Sequence, residues 1–243
     1  MDNNLQTMSS DIDNIVATFG SDESAFMELT GQAATPKSEG LSRLNINYDT
    51  ETEDGETLTR GDWKMMYLGE MVYAKEILIK PILRTFEWSI FDAEQGVFSS
   101  KSVQKPTMSG DFPDTEGGNK CGRLSQDEED KLKDDDPLKV KSRSAVCNQV
   151  LYSKVSGKFR KANGEEIEIS EHPAVAYFKR SGFLPIRNFI DSLTRQKKIM
   201  QKCWISLKTD KKKKGSVTYF VPVPTLSSET DILDEDKELM KKF

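Results

Sequence analysis

The chain offers little of what catalysis or metal binding requires. It has one histidine, His172, directly before Pro173, and three scattered cysteines, Cys121, Cys147 and Cys203. Without a second histidine, histidine-pair metal sites and histidine proton relays lack their parts. No two cysteines stand at C-x-x-C-type spacing, so a zinc site would have to draw ligands from distant parts of the chain. Their odd number also argues against paired disulfides and for a reducing compartment. The stretch Gly117–Gly118–Asn119–Lys120–Cys121–Gly122–Arg123 invites a phosphate-loop reading. Arg123 and Leu124 stand where Lys and Ser/Thr are needed, and no apolar strand runs into it. Residues 127–136 (DEEDKLKDDD) lack the spaced Asp/Asn and the Gly of a calcium loop and read as solvated charge. No catalytic constellation, metal or cofactor is expected. An enzyme acting on nucleic acid through carboxylates of residues 111–136 is the weakest of three functional readings.

The chemistry that does stand out is stacking beside positive charge. In residues 198–224 (KIMQKCWISLKTDKKKKGSVTYFVPVP) alternation puts Cys203, Ile205 and Leu207 on one face of a strand and Lys202, Trp204, Ser206 and Lys208 on the other. Pairing Ile205 with Tyr219 and Leu207 with Val217 aligns the apolar faces and sets Trp204 opposite Phe220. Lys202 and Lys208 flank that pair, Lys211, Lys212, Lys213 and Lys214 form the loop, and Arg195, Lys197 and Lys198 close the helix upstream. Residues 195–214 carry nine Lys/Arg against Asp210 alone. Rings interleaved with cations suit a single strand, whose bases stack at about 1–3 kcal/mol each while phosphates meet lysines without sequence preference. The competing reading buries both rings and leaves the lysines as a solvated tip. A second patch, Tyr177–Phe178–Lys179–Arg180–Ser181–Gly182 with Arg187 on the next helix, sets two aromatics beside two cations. Phe86 and Trp88 share a strand face with Ile82 and Ile90 and belong to the core, with Arg84 at its wet end.

These patches need a strand-rich scaffold. Strands are expected at 41–48, 65–74, 76–91, 97–105 and 145–156, with a hairpin into 166–169 and a last hairpin over 200–222. Pro81 breaks the third run or marks an edge. Phe183–Arg195 is the one body helix, with Ile186, Phe189, Ile190 and Leu193 on one stripe. Residues 107–145 read as a long loop. The fold class is mainly β (α+β): a small OB-like Greek-key barrel with one body helix and flexible acidic N- and C-terminal segments. The organisation is 1–40, an acidic segment with short amphipathic helices over 10–20 and 21–31; 41–225, the body; and 226–243, an acidic tail.

Charge follows the same division. The net −5 splits into −10 over residues 1–57, +8 over 58–225 and −3 over 226–243. A whole-chain isoelectric point therefore conceals a basic surface. No run approaches about 18 apolar residues, and Met1–Asp2–Asn3–Asn4 does not begin a signal peptide, so a non-membrane, cytoplasmic protein is expected.

The C-terminus, SSETDILDEDKELMKKF, is acidic and ends in an aromatic residue. A basic barrel followed by such a tail resembles the single-stranded DNA-binding proteins of bacteria and tailed phages. Glu229, Asp231, Asp234, Glu235, Asp236, Glu238 and Phe243 match the tail, while Lys241 and Lys242 stand where that family is acidic. The stretches RTFEWSIFD, GGNKCGRLS and YFKRSGFLPIRNFIDSLTRQKK also look like a phage replication protein. The resemblance implies non-enzymatic single-stranded DNA binding in replication or recombination, in the host cytoplasm if phage-encoded. It further implies replication or recombination proteins as partners, docking through Asp234, Glu235, Asp236 and Phe243. The second reading is an assembly protein that docks on a partner through residues 10–31.

Overall fold

The computed structural model describes residues 41–53, 55–92, 95–113 and 120–243. The helices expected at 10–20 and 21–31, and Gly117–Asn119 of the glycine-rich stretch, lie outside the described residues.

Among the described residues nine strands are joined in one sheet system: β1 (Ser42–Ile46), β2 (Trp63–Tyr67), β3 (Glu70–Ala74), β4 (Ile77–Asp92), β5 (Val97–Lys101), β6 (Val146–Lys161), β7 (Glu166–Phe178), β8 (Cys203–Lys214) and β9 (Val217–Glu229). β1, β2, β3, β6 and β7 close into a five-stranded barrel. One seam is the antiparallel pair β3–β6 at Val72–Lys161; the other is the parallel pair β1–β7 at Leu44–Ala176. The chain is thus mainly β with a small closed barrel, as the succession of short strands suggested. Around the ring the strands follow chain order, interrupted by the excursion of β4 and β5.

The alternating apolar residues of the ring fill its interior: Leu44, Trp63, Met65, Val72, Leu151, Phe159, Ile169, Ala176 and Phe178 belong to one buried cluster. The helix expected at Phe183–Arg195 forms over those residues and adds Ile186, Ile190 and Leu193 to the same cluster. β4 runs unbroken for 16 residues because a register shift between Pro81 and Leu83 absorbs the missing amide. Phe86, Trp88 and Ile90 on its far half build a second cluster with Phe112 and Phe183. The stretch 65–74 is a hairpin rather than one strand, since Leu68 and Gly69 both take positive φ and turn the chain in two residues.

Residues 107–145 are not all loop. Ser125 and Glu128 cap α1 (Gln126–Glu129) reciprocally, and Asp136 caps α2 (Pro137–Ser144), which has Pro at its start. Glu129, read as solvated, is buried and accepts a 2.6 Å bond from Ser142.

The C-terminal segment also departs from the flexible tail expected. β9 extends to Glu229, and Asp234–Lys241 forms a further helix docked on the outer side of β4 and β6. Counting the body helix Phe183–Arg195 as α3, this is α4.

Candidate nucleic-acid interface

The last hairpin turns at Gly215–Ser216, with Gly215 at φ +61°. Lys211–Lys214 are therefore strand residues, and the register shifts by an odd number from the one expected. Ile205 faces Leu226, Leu207 faces Pro224, and Lys211 faces Phe220. An odd shift exchanges the faces of β9. Phe220 lies on the same side as Ile205 and Leu207 and is 8% exposed, while Trp204 is half-buried opposite Ser228. The cross-strand pair of Trp204 and Phe220 does not exist.

Beyond Leu207 the recorded pairing of β8 is with β9 alone, so the hairpin continues past β4 as a two-stranded arm. The arm rests on the connection between β1 and β2. Thr209 Oγ1 donates to the Gly61 carbonyl at 2.6 Å, and Phe220 packs edge-on against Tyr48 at 5.7 Å. Gly61, at φ +97°, lies so close under this ring that a Cβ there would sit 2.5 Å from it. The lysines stay exposed at the arm's end.

Several cations of that segment are neutralised. Lys198 pairs with Glu229 at 2.5 Å, Lys202 with Asp231 at 3.4 Å, Lys208 with Glu76 at 3.2 Å and Lys212 with Asp210 at 2.6 Å. Arg195 and Lys197 are exposed at the end of α3. Arg187 points elsewhere, to Asp191 at 3.6 Å and to the sulfur of Met108 at 3.8 Å.

What the fold does bring together is Phe220 and the second patch. A cleft of about 370 Å³ is lined by Tyr48, Trp63, Tyr177, Lys179, Phe220 and Pro222, among others. Tyr177, next to last in β7, lies on the outside of the barrel, with the Arg43 guanidinium 4.8 Å and the Lys101 ammonium 5.9 Å from its ring centre. Partial desolvation, with Arg180 and Arg43 adding like-charge repulsion, holds the Lys179 ammonium below the usual lysine range. Among the described residues no carboxylate lies within ion-pair distance of Arg43, Lys179 or Arg180. Tyr48, 45% exposed, forms the open lip.

Sequence reasoning missed Arg43, Tyr48 and Lys101. The alternation S-R-L-N-I-N-Y with Leu44 and Ile46 inward already placed Arg43 outside. Nothing in the sequence brought β1 beside β7.

The tail residues are held against the body. Asp236 is 1% exposed and sits between Lys80 at 2.6 Å and Lys154 at 2.8 Å. Burial alone would raise its carboxyl; Lys154, Lys80 and the Leu233 amide overcome this and lower it to about 2. Phe243 stacks on Tyr152, ring centres 4.7 Å apart and planes 26° from parallel. Asp234 pairs within the helix to Lys237, and Glu235 is exposed 3.8 Å from Lys154.

Among the described residues no three His, Cys, Asp or Glu side chains are grouped to hold a metal, and no helix is long and apolar enough to cross a membrane. His172 bonds to Ser42 Oγ at 2.8 Å, and its ring meets Tyr67 edge-on. Burial pushes the Cys147 thiol up to about 11, which makes it a poor nucleophile. In the acidic run, Asp134 serves Lys139 and Arg143 as a structural counter-ion. No protein-family model, curated protein or solved structure matches this chain.

Proposed function

We propose that the protein binds single-stranded DNA without a required sequence and without acting on it chemically, in phage replication or recombination. The observation that carries this is the cleft at β1, β7 and β9. Tyr48 and Tyr177 offer rings there, with the buried Phe220 packed against Tyr48, and among the described residues Arg43, Lys179 and Arg180 stand beside them with no carboxylate partner. Bases stack on rings of any sequence context, and unpaired cations are the natural counter-charge of a phosphate chain. The lysines at the end of the arm, Lys211, Lys213 and Lys214, extend that charge beyond the cleft.

The contacts at the C-terminus bear on partners. Asp236 and Phe243 are engaged with Lys80, Lys154 and Tyr152, so a replication or recombination protein that docks through the tail would first have to release α4.

Titration with an unstructured oligonucleotide, followed by anisotropy, tests the reading. Affinity should fall steeply with salt, and Tyr177→Ala should weaken it by about 1–3 kcal/mol while Tyr177→Phe, which keeps the ring, does not. Absence of binding at low salt by the full chain and by a chain lacking α4 would reject it.

A further inference from the structure

Beside Tyr177, on the outer side of β4, β5 and β6, lies a pocket of about 60 Å³ lined by Arg43, Glu87, Lys101, Asn148, Tyr177 and Lys179, together with Phe98. That is room for about two water molecules, enough for a small polar group but not for a whole ring. Its floor is built from acceptors. Glu87 is 1% exposed, yet its carboxylate receives only long bonds: Asn148 Nδ2 to Oε1 at 3.3 Å and Gln104 Nε2 to Oε2 at 3.2 Å. The Lys101 ammonium stands 3.6 Å away, beyond good hydrogen-bond range, on a half-exposed side chain. Asn148, 4% exposed, spends both amide hydrogens on Glu87 and on Ser89 Oγ at 2.9 Å, which fixes its orientation. Its Oδ1 is then buried without a donor.

A pocket with one unfilled acceptor and a sparsely bonded carboxylate at its floor, and a cation-flanked ring at its rim, has a defined complement. The ligand is a ring that stacks on Tyr177, carries phosphate towards Arg43 and Lys179, and turns an N–H edge inward. We infer that this pocket selects the stacked base, favouring one whose edge bears an amino group over thymine. Among pyrimidines cytosine fits, because its exocyclic amine supplies two hydrogens for the two acceptors, where thymine presents a carbonyl oxygen and has only its N3–H to donate. This rests on the strand-binding reading above and adds a base preference to it.

The test compares oligo-dC with oligo-dT of equal length at neutral pH and fixed salt, since the two pyrimidines stack alike and differ at that edge. The chain should bind dC about tenfold more tightly. Replacing cytosine by N4,N4-dimethylcytosine removes the donors without touching the protein, and affinity should drop to the dT level. Glu87→Gln, which can turn an amide donor inward, should shrink the preference. Equal affinity for dC and dT, or no loss on methylation, overturns the inference while strand binding stands. Failure to bind either oligonucleotide removes strand binding and the preference together.

Discussion

Lys179 has the least favourable charge environment in the cleft, and that gives it a readable signature. Desolvation and two neighbouring cations depress its ammonium. A bound phosphate outweighs both effects with its opposite charge, so the protonated form is the binding form. Affinity for an oligonucleotide should therefore decline as pH rises through the depressed range, earlier than an ordinary lysine near about 10.4 would allow. Lys179→Arg, which stays charged, should remove that decline; titrations between about pH 7 and 10 would show it. Single residues were also the scale at which the sequence was most legible. Tyr177, Lys179 and Arg180 were visible as aromatics beside cations. Their isolation from carboxylates was not, because it depends on which acids the fold draws away.

At the level of elements, local periodicity was readable and long-range pairing was not. The stripe of α3 and the alternation of β1 follow from periods of 3.6 and 2 and appear where expected. The arm's register failed for a specific reason. Lys211–Lys214 looked like a loop, whereas Gly215–Ser216 is a two-residue hairpin signal that keeps the lysines in the strand. The odd shift that follows carried Phe220 from the solvent face to the cleft. Its seat there depends on Gly61, which has both the positive φ and the missing Cβ that the ring requires. Gly61→Ala should destabilise the chain by about 1–3 kcal/mol, seen as a lowered Tm. The same change at exposed Gly164, where nothing lies within 4 Å, carries only the positive-φ strain and should cost less.

For the whole molecule, the charge map of the sequence survives in altered form. The acidic C-terminal residues are distributed over the body: Glu229 on Lys198, Asp231 on Lys202, and Asp236 between Lys80 and Lys154. Asp236 makes the docking of α4 acid-sensitive. Its folded carboxyl lies at about 2 against an ordinary value near 3.8, so its stabilisation is complete above about pH 4 and is lost as pH falls towards 2. Acidification should free α4, which limited proteolysis at residues 230–243 would detect. Asp236→Ala should do so at neutral pH, because it leaves the buried Lys80 ammonium without a carboxylate while Lys154 keeps Glu171 at 2.8 Å, a change worth about 3–5 kcal/mol unless the helix undocks first.

The two seams of the barrel join parts of the chain that are far apart in sequence, Val72 with Lys161 and Leu44 with Ala176. Everything from β4 to α2 is made between β3 and the strand that completes its edge. Until β6 and β7 exist, β1 and β3 both present unpaired backbone, the condition in which strands associate with the wrong partner. Folding dominated by such distant pairings is slow, on the millisecond-to-second scale. The charged stretch around residues 126–144 looks in sequence like a place to divide the chain, but a cut there yields two open half-rings and no independently foldable piece.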